Sequence, residues 1–376
     1  MASTKPVLTE EQIPELVKEL YGLTVKSWTK FDGYDDLNLF IKVDPAESTN
    51  SNIPSPSSDG YVLKISNGRF TVDPGSIASQ NSLMIFLDGR LTGIEVPTPK
   101  RSLSGNYWDF VSLPWKAPSQ TPTEKFIVRL LTFTPGKMLS SVATEPSTEV
   151  LQQIGRLVGR FAKTMENFDV GLVAPPVVKE IWHLQNCEQV NSLLDAVDDS
   201  TQLTVFRDVL AEFERHLTTH RHELPQGVIH GDLNEGNIVM EQSAEEENAQ
   251  YFVKGIIDFS DMHFSCRIFD LVLALAYMML ECCKKGLLDP IEAGAIVFHG
   301  YLQENTISPA EMDILKIGME ARITQSLVIG LHTFKQQPGN RYVLNTQKSG
   351  WHVLQILRRM SQQKLFEKWN DIMDQL

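Results

Sequence analysis

The stretch His230-Gly231-Asp232-Leu233-Asn234-Glu235-Gly236-Asn237 sets a carboxylate, Asp232, and a carboxamide, Asn237, at opposite ends of one short loop. A little further on, Gly255-Ile256-Ile257-Asp258-Phe259 ends an apolar run on a second carboxylate. These residue types suit transfer of a phosphoryl group to a hydroxyl. That reaction needs a carboxylate near the attacking hydroxyl, and hard oxygen ligands for the magnesium that neutralises a triphosphate. Asp232 fits the first role, as base or orienter of the hydroxyl; Asn237 and Asp258 fit the second. A plain turn whose aspartate caps a helix would share the spacing. The buried-looking strand ending in Asp-Phe favours the chemical reading.

The flanking pattern has to bring these groups together. Residues 238–240 and 251–258 read as the arms of a β-hairpin around an acidic tip, residues 241–250. A hairpin returns the chain, so Asn237 and Asp258 end side by side. Downstream, Asp270 opens a strongly apolar helix, either capping it or bracing the loop that carries Asp232. Arg322 sits in another apolar helix, among Ile317, Ile323, Leu327 and Leu331. A guanidinium there requires an anion. Glu320, Asp313 or a substrate carboxylate are the candidates, the last suited to a bidentate pair.

Upstream, Thr9-Glu10-Glu11-Gln12 fits a capping box opening an amphipathic helix that Gly22 ends. Residues 23–30, 39–43 and 61–66 read as strands, and residues 44–60, rich in Ser, Pro and Asn, as a surface loop. Lys64 lies inside the third strand, where a lysine either holds an anion or snorkels from a sheet edge. Residues 75–87 read as a helix and 125–133 as an apolar strand broken by Thr134-Pro135-Gly136. From residue 147 the period turns helical, with Val150, Ile154, Leu157, Val158 and Phe161 on one stripe. Further helices are expected near 188–197, 203–217 and 314–334, with Pro309 in the first turn of the last and Trp351 closing another. Trp182, between helices, belongs either to the core or to an acceptor pocket.

A length of 376 residues exceeds one ordinary core and fits two lobes. Hydrophobic content of 42% with 22% charged residues is that of a globular protein. A net charge of −13 argues against nucleic acid and anionic membrane as partners. The four cysteines show no zinc spacing and suit a reducing cytoplasm. Residues 1–7 are polar, without a secretory apolar core. The longest apolar run, 268–280, is interrupted by Asp270 and is shorter than the ~20 residues a bilayer requires.

The HxDxxxxN and IIDF pair resembles the aminoglycoside phosphotransferase and choline-kinase-like group of small-molecule kinases. Tyr34-Asp35-Asp36, Tyr61 to Asn67, Val128-Arg129-Leu130-Leu131-Thr132 with Pro135-Gly136, Asp258-Phe259-Ser260-Asp261-Met262, Gln325-Ser326-Leu327-Val328 and Ser349-Gly350-Trp351 extend the resemblance over nearly the whole chain. They narrow it to the branch that acts on hydroxylysine. The resemblance implies an α+β, two-lobed protein-kinase-like fold: a small antiparallel-sheet lobe, residues 1–134, that binds nucleotide, and a larger, mainly helical catalytic lobe, residues 135–376. It implies GTP as donor, with ATP the alternative, Mg2+, and 5-hydroxy-L-lysine as acceptor. Another amino alcohol, an aminoglycoside, or an inactive nucleotide-binding scaffold are the rival readings.

The same resemblance assigns site residues. Lys64 would hold the donor's phosphates, beneath a hairpin turn carrying Gly33, Tyr34 and Asp35. Leu131, Thr132 and Phe133 would border the purine at an interlobe hinge. His230 would brace the loop rather than act as base. Asp261 or Glu281 would meet a substrate ammonium. The usual partner of such a lysine is a glutamate on the following helix. Residues 75–87 contain none, and Gln80 is the nearest polar candidate. A protein kinase is disfavoured, because the loop lacks the His-Arg-Asp form and no Ala-Pro-Glu follows Asp258.

Overall fold

The computed structural model describes residues 6–31, 36–68, 73–114, 123–142, 146–174, 180–243, 250–286, 288–339 and 341–376. They divide into two compact units, one of Met1–Arg90, Glu95–Pro135 and Gly171–Val177, the other of Leu91–Ile94, Gly136–Val170 and Val178–Leu376.

In the first unit, helix α1 (Gln12–Tyr21) is preceded by reciprocal bonds between Thr9 and Gln12, at 2.9 and 3.4 Å. It stops at Gly22, whose left-handed φ of 63° turns its N–H back to Lys18 O. Strands β1 (Val25–Phe31), β2 (Leu37–Val43) and β3 (Tyr61–Ile65) follow, then α2 (Pro74–Leu87), β4 (Pro99–Lys100), β5 (Asp109–Pro114) and β6 (Thr123–Thr132). The sheet is antiparallel in the order β1-β2-β3-β6, with β4 and β5 both paired to β6. Alternation decides its faces. Leu37, Leu39, Ile41, Leu63, Ile65, Val128 and Leu130 are buried in one cluster with Ile13, Val17 and Tyr21 of α1. Lys64 and Arg129 are cross-strand partners and so share the opposite face. Asp73 caps α2 by accepting from Ser76 N.

The second unit opens with β7 (Lys137–Met138), α3 (Thr148–Met165) and α4 (Ser200–His220). It continues through β8 (Gln226–Ile229), β9 (Ile238–Gln242), β10 (Tyr251–Ile256), β11 (His263–Cys266) and α5 (Ile268–Lys285), then α6 (Pro290–Leu302), α7 (Pro309–Gln336), α8 (Gly350–Arg358) and α9 (Gln362–Met373). The strands form two small antiparallel sheets, β10-β9-β7 and β11-β8. Helix α7 starts on a complete capping box between Ser308 and Glu311 and is buried from Ile314 to Gly330 on every side. The fold class is α+β, as the resemblance implies.

Two local expectations are corrected, and one lies largely outside the described residues. Residues 188–197 lie in 3₁₀ turns spanning Leu184–Ala196, kinked at Asn186, rather than in an α-helix. Trp351 opens α8 instead of closing a helix. Most of the hairpin tip, residues 244–249, lies outside the described residues. No helix among the described residues is long and apolar enough to cross a membrane.

Helices α3 and α6 meet through glycine. A Cβ on Gly155 would stand 2.0 Å from Val297 O, and one on Gly300 would stand 2.2 Å from Gln152 O. Alanine would gain about 1 kcal/mol of helix propensity at either position. Overpacking against backbone atoms that cannot rotate away costs about 1–3 kcal/mol or more. Gly155→Ala and Gly300→Ala are therefore expected to lower the urea midpoint of unfolding. A midpoint equal to or above that of the unaltered protein would refute the close-crossing account.

Candidate active site

The loop of residues 230–237 runs from the end of β8 to the start of β9 and is tied down before it reaches its functional groups. Asp270, buried in the first turn of α5, accepts from His230 N at 2.8 Å and Gly231 N at 2.9 Å. It braces the loop, since the N-cap position of α5 belongs to Arg267. Burial raises the Asp270 pKa; the two N–H donors oppose that rise. Gly231 has φ of 82°, and a Cβ there would meet Asp261 O at 2.3 Å, so both conformation and space call for glycine. The His230 ring is fully buried between Phe161 and Phe259. Its Nδ1 accepts from Asp232 N at 3.2 Å, and its Nε2 donates to Ile257 O at 3.1 Å. That one tautomer links the two motif segments, a structural duty rather than a base's.

The hairpin brings those segments together. Ile238 pairs with Ile256, and Ile257 N donates to Asn237 O at 3.0 Å. Asn237 Nδ2 donates to both the backbone oxygen and Oδ2 of Asp232, each at 2.8 Å. Both bonds use Nδ2, so Oδ1 is the atom with which Asn237 would meet a cation. Asp258 is the single non-glycine residue with positive φ among the described residues, at φ 63° and ψ 78°. That backbone costs about 1–3 kcal/mol. Asp258 Oδ1 accepts from Ser260 Oγ at 2.7 Å. A carboxylate and a carboxamide oxygen, both hard donors on adjacent segments, fit a magnesium ion, which keeps waters and substrate phosphates as its other ligands.

Asp232 is partly exposed at its side chain and has both oxygens engaged: Oδ2 by Asn237, Oδ1 by Arg322 Nη2 at 3.2 Å. Neither Glu320 nor Asp313 partners Arg322, contrary to those two sequence candidates. Glu320 is bound by Lys316 and Arg358, and Asp313 by Gln362. Trp182 joins the group: its backbone oxygen accepts from Arg322 Nη1 at 2.7 Å, and its ring lies 5.3 Å from the guanidinium carbon. Tyr277, which sequence reasoning missed, accepts from Arg322 Nε at 3.1 Å.

Glu281 is buried and already ion-paired, with Lys284 at 2.8 Å and Lys285 at 3.1 Å, which competes with its expected role toward an ammonium. Asp261 contributes its backbone oxygen to the loop core, accepting from His263 Nδ1 at 2.7 Å. The carboxylate that sequence reasoning missed is Glu235. Its Oε2 is buried without a hydrogen-bond partner. Burial pushes its carboxyl up to about 7, with the negative charge of Glu281 adding to the shift.

In the first unit, Lys64 is buried and paired with Asp36 at 3.1 Å, and Asp36 also accepts from Asn67 N at 2.7 Å. The opposing charge missing from α2 is thus supplied at the entry to β2. Gln80 accepts from Arg129 Nη2, beside Asn81, which accepts from Arg129 Nη1. Gly33, Tyr34 and Asp35 lie outside the described residues. At the end of β6, Thr132 N donates to Thr98 O and Phe133 N to Gly60 O, so those two donors serve the fold; Leu131 packs within the sheet. Phe133 instead presents a ring, 4.5 Å from that of Phe40 and 6.2 Å from that of Phe31.

Residues 48–293 match the phosphotransferase enzyme family. A hydroxylysine kinase of Xenopus laevis is 30% identical over 377 residues, covering 99% of this chain and 96% of the relative. Among solved structures, a microcompartment-associated aminopropanol kinase superposes with a TM-score of 0.62 at 14% identity, over 91% of this chain and 95% of its own. An amicoumacin kinase in complex with AMP-PNP and Ca2+ gives 0.59 at 17% identity, over 91% and 93%. The fold is thereby the protein-kinase-like phosphotransferase fold.

Below the loop, the buried rings of His183 and His263 stack at 3.5 Å and 5°. His263 donates from Nδ1, and its Nε2 is buried without a hydrogen-bond partner. Protonation would bury a new, unmatched N–H, and burial accordingly pushes the imidazole down to about 4. A depressed histidine pKa stabilises the fold above the unfolded value near 6.5, and that stabilisation is lost as pH falls towards 4. The shift corresponds to at most about 3 kcal/mol. His263→Phe, which keeps the stack, should lose less stability between pH 6.5 and 4 than the unaltered protein. Identical pH slopes in denaturant titrations would count against this assignment.

Proposed function

The chain belongs to the phosphotransferase enzyme family, and from that premise we propose that it transfers the γ-phosphoryl group of GTP to the side-chain hydroxyl of 5-hydroxy-L-lysine. It is a phosphotransferase with an alcohol group as acceptor. The acceptor proposal leans on the hydroxylysine kinase named above, which aligns over nearly its full length. The observation that carries the mechanism is the Asp232 carboxylate, fixed through both oxygens and still partly exposed.

A carboxylate offers about four lone-pair sites. Arg322 and Asn237 take one on each oxygen, and those remaining accept the acceptor hydroxyl. Asp232 orients that hydroxyl for in-line attack and takes its proton as the new O–P bond forms and the bond from the γ-phosphorus to the bridging oxygen breaks, releasing GDP. Asn237 and Asp258 would hold Mg2+, which neutralises the charge of the triphosphate when bound. His230 and Asp270 keep the loop in register for that geometry. Lys64, charged and oriented by Asp36, is assigned to the donor's phosphates. The ion pair with Asp36 removes the main support for an inactive scaffold, which was the absence of a glutamate on α2. The chain's free thiols suit the cytoplasm.

A turnover screen of GTP and ATP against hydroxylysine, other amino alcohols and aminoglycosides should give the highest kcat/KM for GTP with hydroxylysine. A folded enzyme that turns over an aminoglycoside or another amino alcohol but not hydroxylysine would replace this acceptor assignment. Asp232→Asn should cut turnover at least ~100-fold with nucleotide affinity retained, the scale of general-base and positioning effects.

Asp258→Ala should abolish the magnesium dependence of nucleotide binding in calorimetry, because it removes the charged member of the ligand pair. Unchanged affinity with magnesium present would contradict the metal assignment.

A further inference from the structure

Arg322 reaches the catalytic loop from the middle of α7, and its hydrogen bonds limit what it can do. Nε donates to Tyr277 Oη at 3.1 Å on α5. Nη1 donates to Trp182 O at 2.7 Å and to Gln325 Oε1 at 2.8 Å. Gln325 is itself anchored, donating from Nε2 to Ile181 O at 2.6 Å. Nη2 donates to Asp232 Oδ1 at 3.2 Å. The guanidinium is therefore held by two helices and by the backbone at Trp182 before it touches the aspartate, and its side chain is 3% exposed against 24% for Asp232.

A guanidinium has five N–H donors. Four are committed to the groups just named, so neither edge retains the two parallel donors that a bidentate grip on a free carboxylate requires. The expectation that Arg322 binds the carboxylate of an amino-acid substrate does not survive that count. Nor is the pair an economical way to stabilise the fold, since burying an ion pair is roughly neutral against an apolar replacement. What the arrangement does provide is position. An aspartate side chain rotates about two bonds, and an acceptor carrying ammonium groups would draw a loose carboxylate away from the hydroxyl. Misplacement of a reacting group by about 1 Å can cost 10²-fold in rate.

We infer that Arg322 is a positioning residue: it fixes the Asp232 carboxylate through Oδ1, opposite Asn237 on Oδ2, and makes no contact with the acceptor. The inference rests on Asp232 being the base, so Asp232→Asn is assayed beside each Arg322 variant. If Asp232→Asn keeps its turnover, the mechanism proposed above fails first. If Asp232→Asn is inactive, the Arg322 variants decide the present point alone.

Arg322→Ala should lower kcat at least ~30-fold and leave the KM of acceptor and nucleotide within about threefold, the pattern of an interaction that matters only in the transition state. Added guanidinium ion should restore part of kcat, because the cavity left behind retains the acceptors Tyr277 Oη, Trp182 O and Gln325 Oε1. A purely structural arginine would show a lowered melting temperature without that rescue. Tyr277→Phe removes one anchor of Arg322 without removing its charge. It should lower kcat by a smaller factor at constant KM, and it carries the test by itself if Arg322→Ala does not fold. Unchanged kcat in folded variants overturns the inference. So does a rise of ten-fold or more in acceptor KM at constant kcat, which would return Arg322 to the substrate. A loss of kcat without guanidinium rescue also overturns it.

Discussion

Two consecutive backbone N–H groups, those of His230 and Gly231, end on the two oxygens of one buried carboxylate, Asp270. Burying that charge is unfavourable, and two things offset it. Charge-assisted hydrogen bonds to backbone N–H are among the stronger ones available. The carboxylate also lies in the first turn of α5, where the helix dipole favours an anion. Everything chemical in the second unit hangs from this clamp. It sets the direction in which the loop leaves β8, which sets where the His230 ring lies. The ring in turn joins Asp232 N to Ile257 O, one residue before Asp258.

The clamp also explains where strain is tolerated. Asp258 adopts a left-handed backbone that an aspartate adopts only at a cost. The chain on its N-terminal side is fixed by the ladder to β9, and on its C-terminal side by the turn that Ser260 closes onto Asp258 Oδ1. A relaxed conformation would carry the carboxylate off the line towards Asn237. Gly231 permits a close approach of the loop to Asp261 O that no side chain would allow. Glycine and a strained aspartate thus solve one problem at two places: how to bring two backbone segments, and with them Asp232, Asn237 and Asp258, close together.

Much of this was legible in the sequence because it is local. Alternation marked β2, β3 and β6, the helical stripe marked α3, and the hairpin around β9 and β10 follows from its two apolar arms. What was not legible depends on partners far away in the chain. Asp36 faces Lys64 because β2 pairs with β3 in one particular register, Asn38 opposite Lys64. No local pattern distinguishes that aspartate from its neighbours in an acidic turn. The usual element for that charge is the helix, whereas this chain puts it on Asp36, just before β2, and gives the helix position to Gln80, which serves Arg129. Glu235 lay inside the motif and was overlooked because its meaning comes from burial, which composition does not report.

Arg322 shows most clearly why side-chain period is a limited guide. Reasoning from period assigns a helix one apolar face and treats a charge on that face as an exception needing a ligand. Helix α7 has no such face. It is buried through nearly its whole middle, and the charged and polar residues along that stretch each answer to a different neighbour. Lys316 and Glu320 close on one another and on Arg358. Gln325 turns to Ile181 O, and Arg322 to Asp232, Tyr277 and Trp182 O. In a helix packed on all sides, each buried polar group must find its own partner, because water is not available to satisfy it. The partner is set by which element happens to lie opposite, and that is a property of tertiary packing. Asp232 is therefore held by a residue ninety positions away, on a helix whose sequence shows only that a cation is buried there and not which anion it serves.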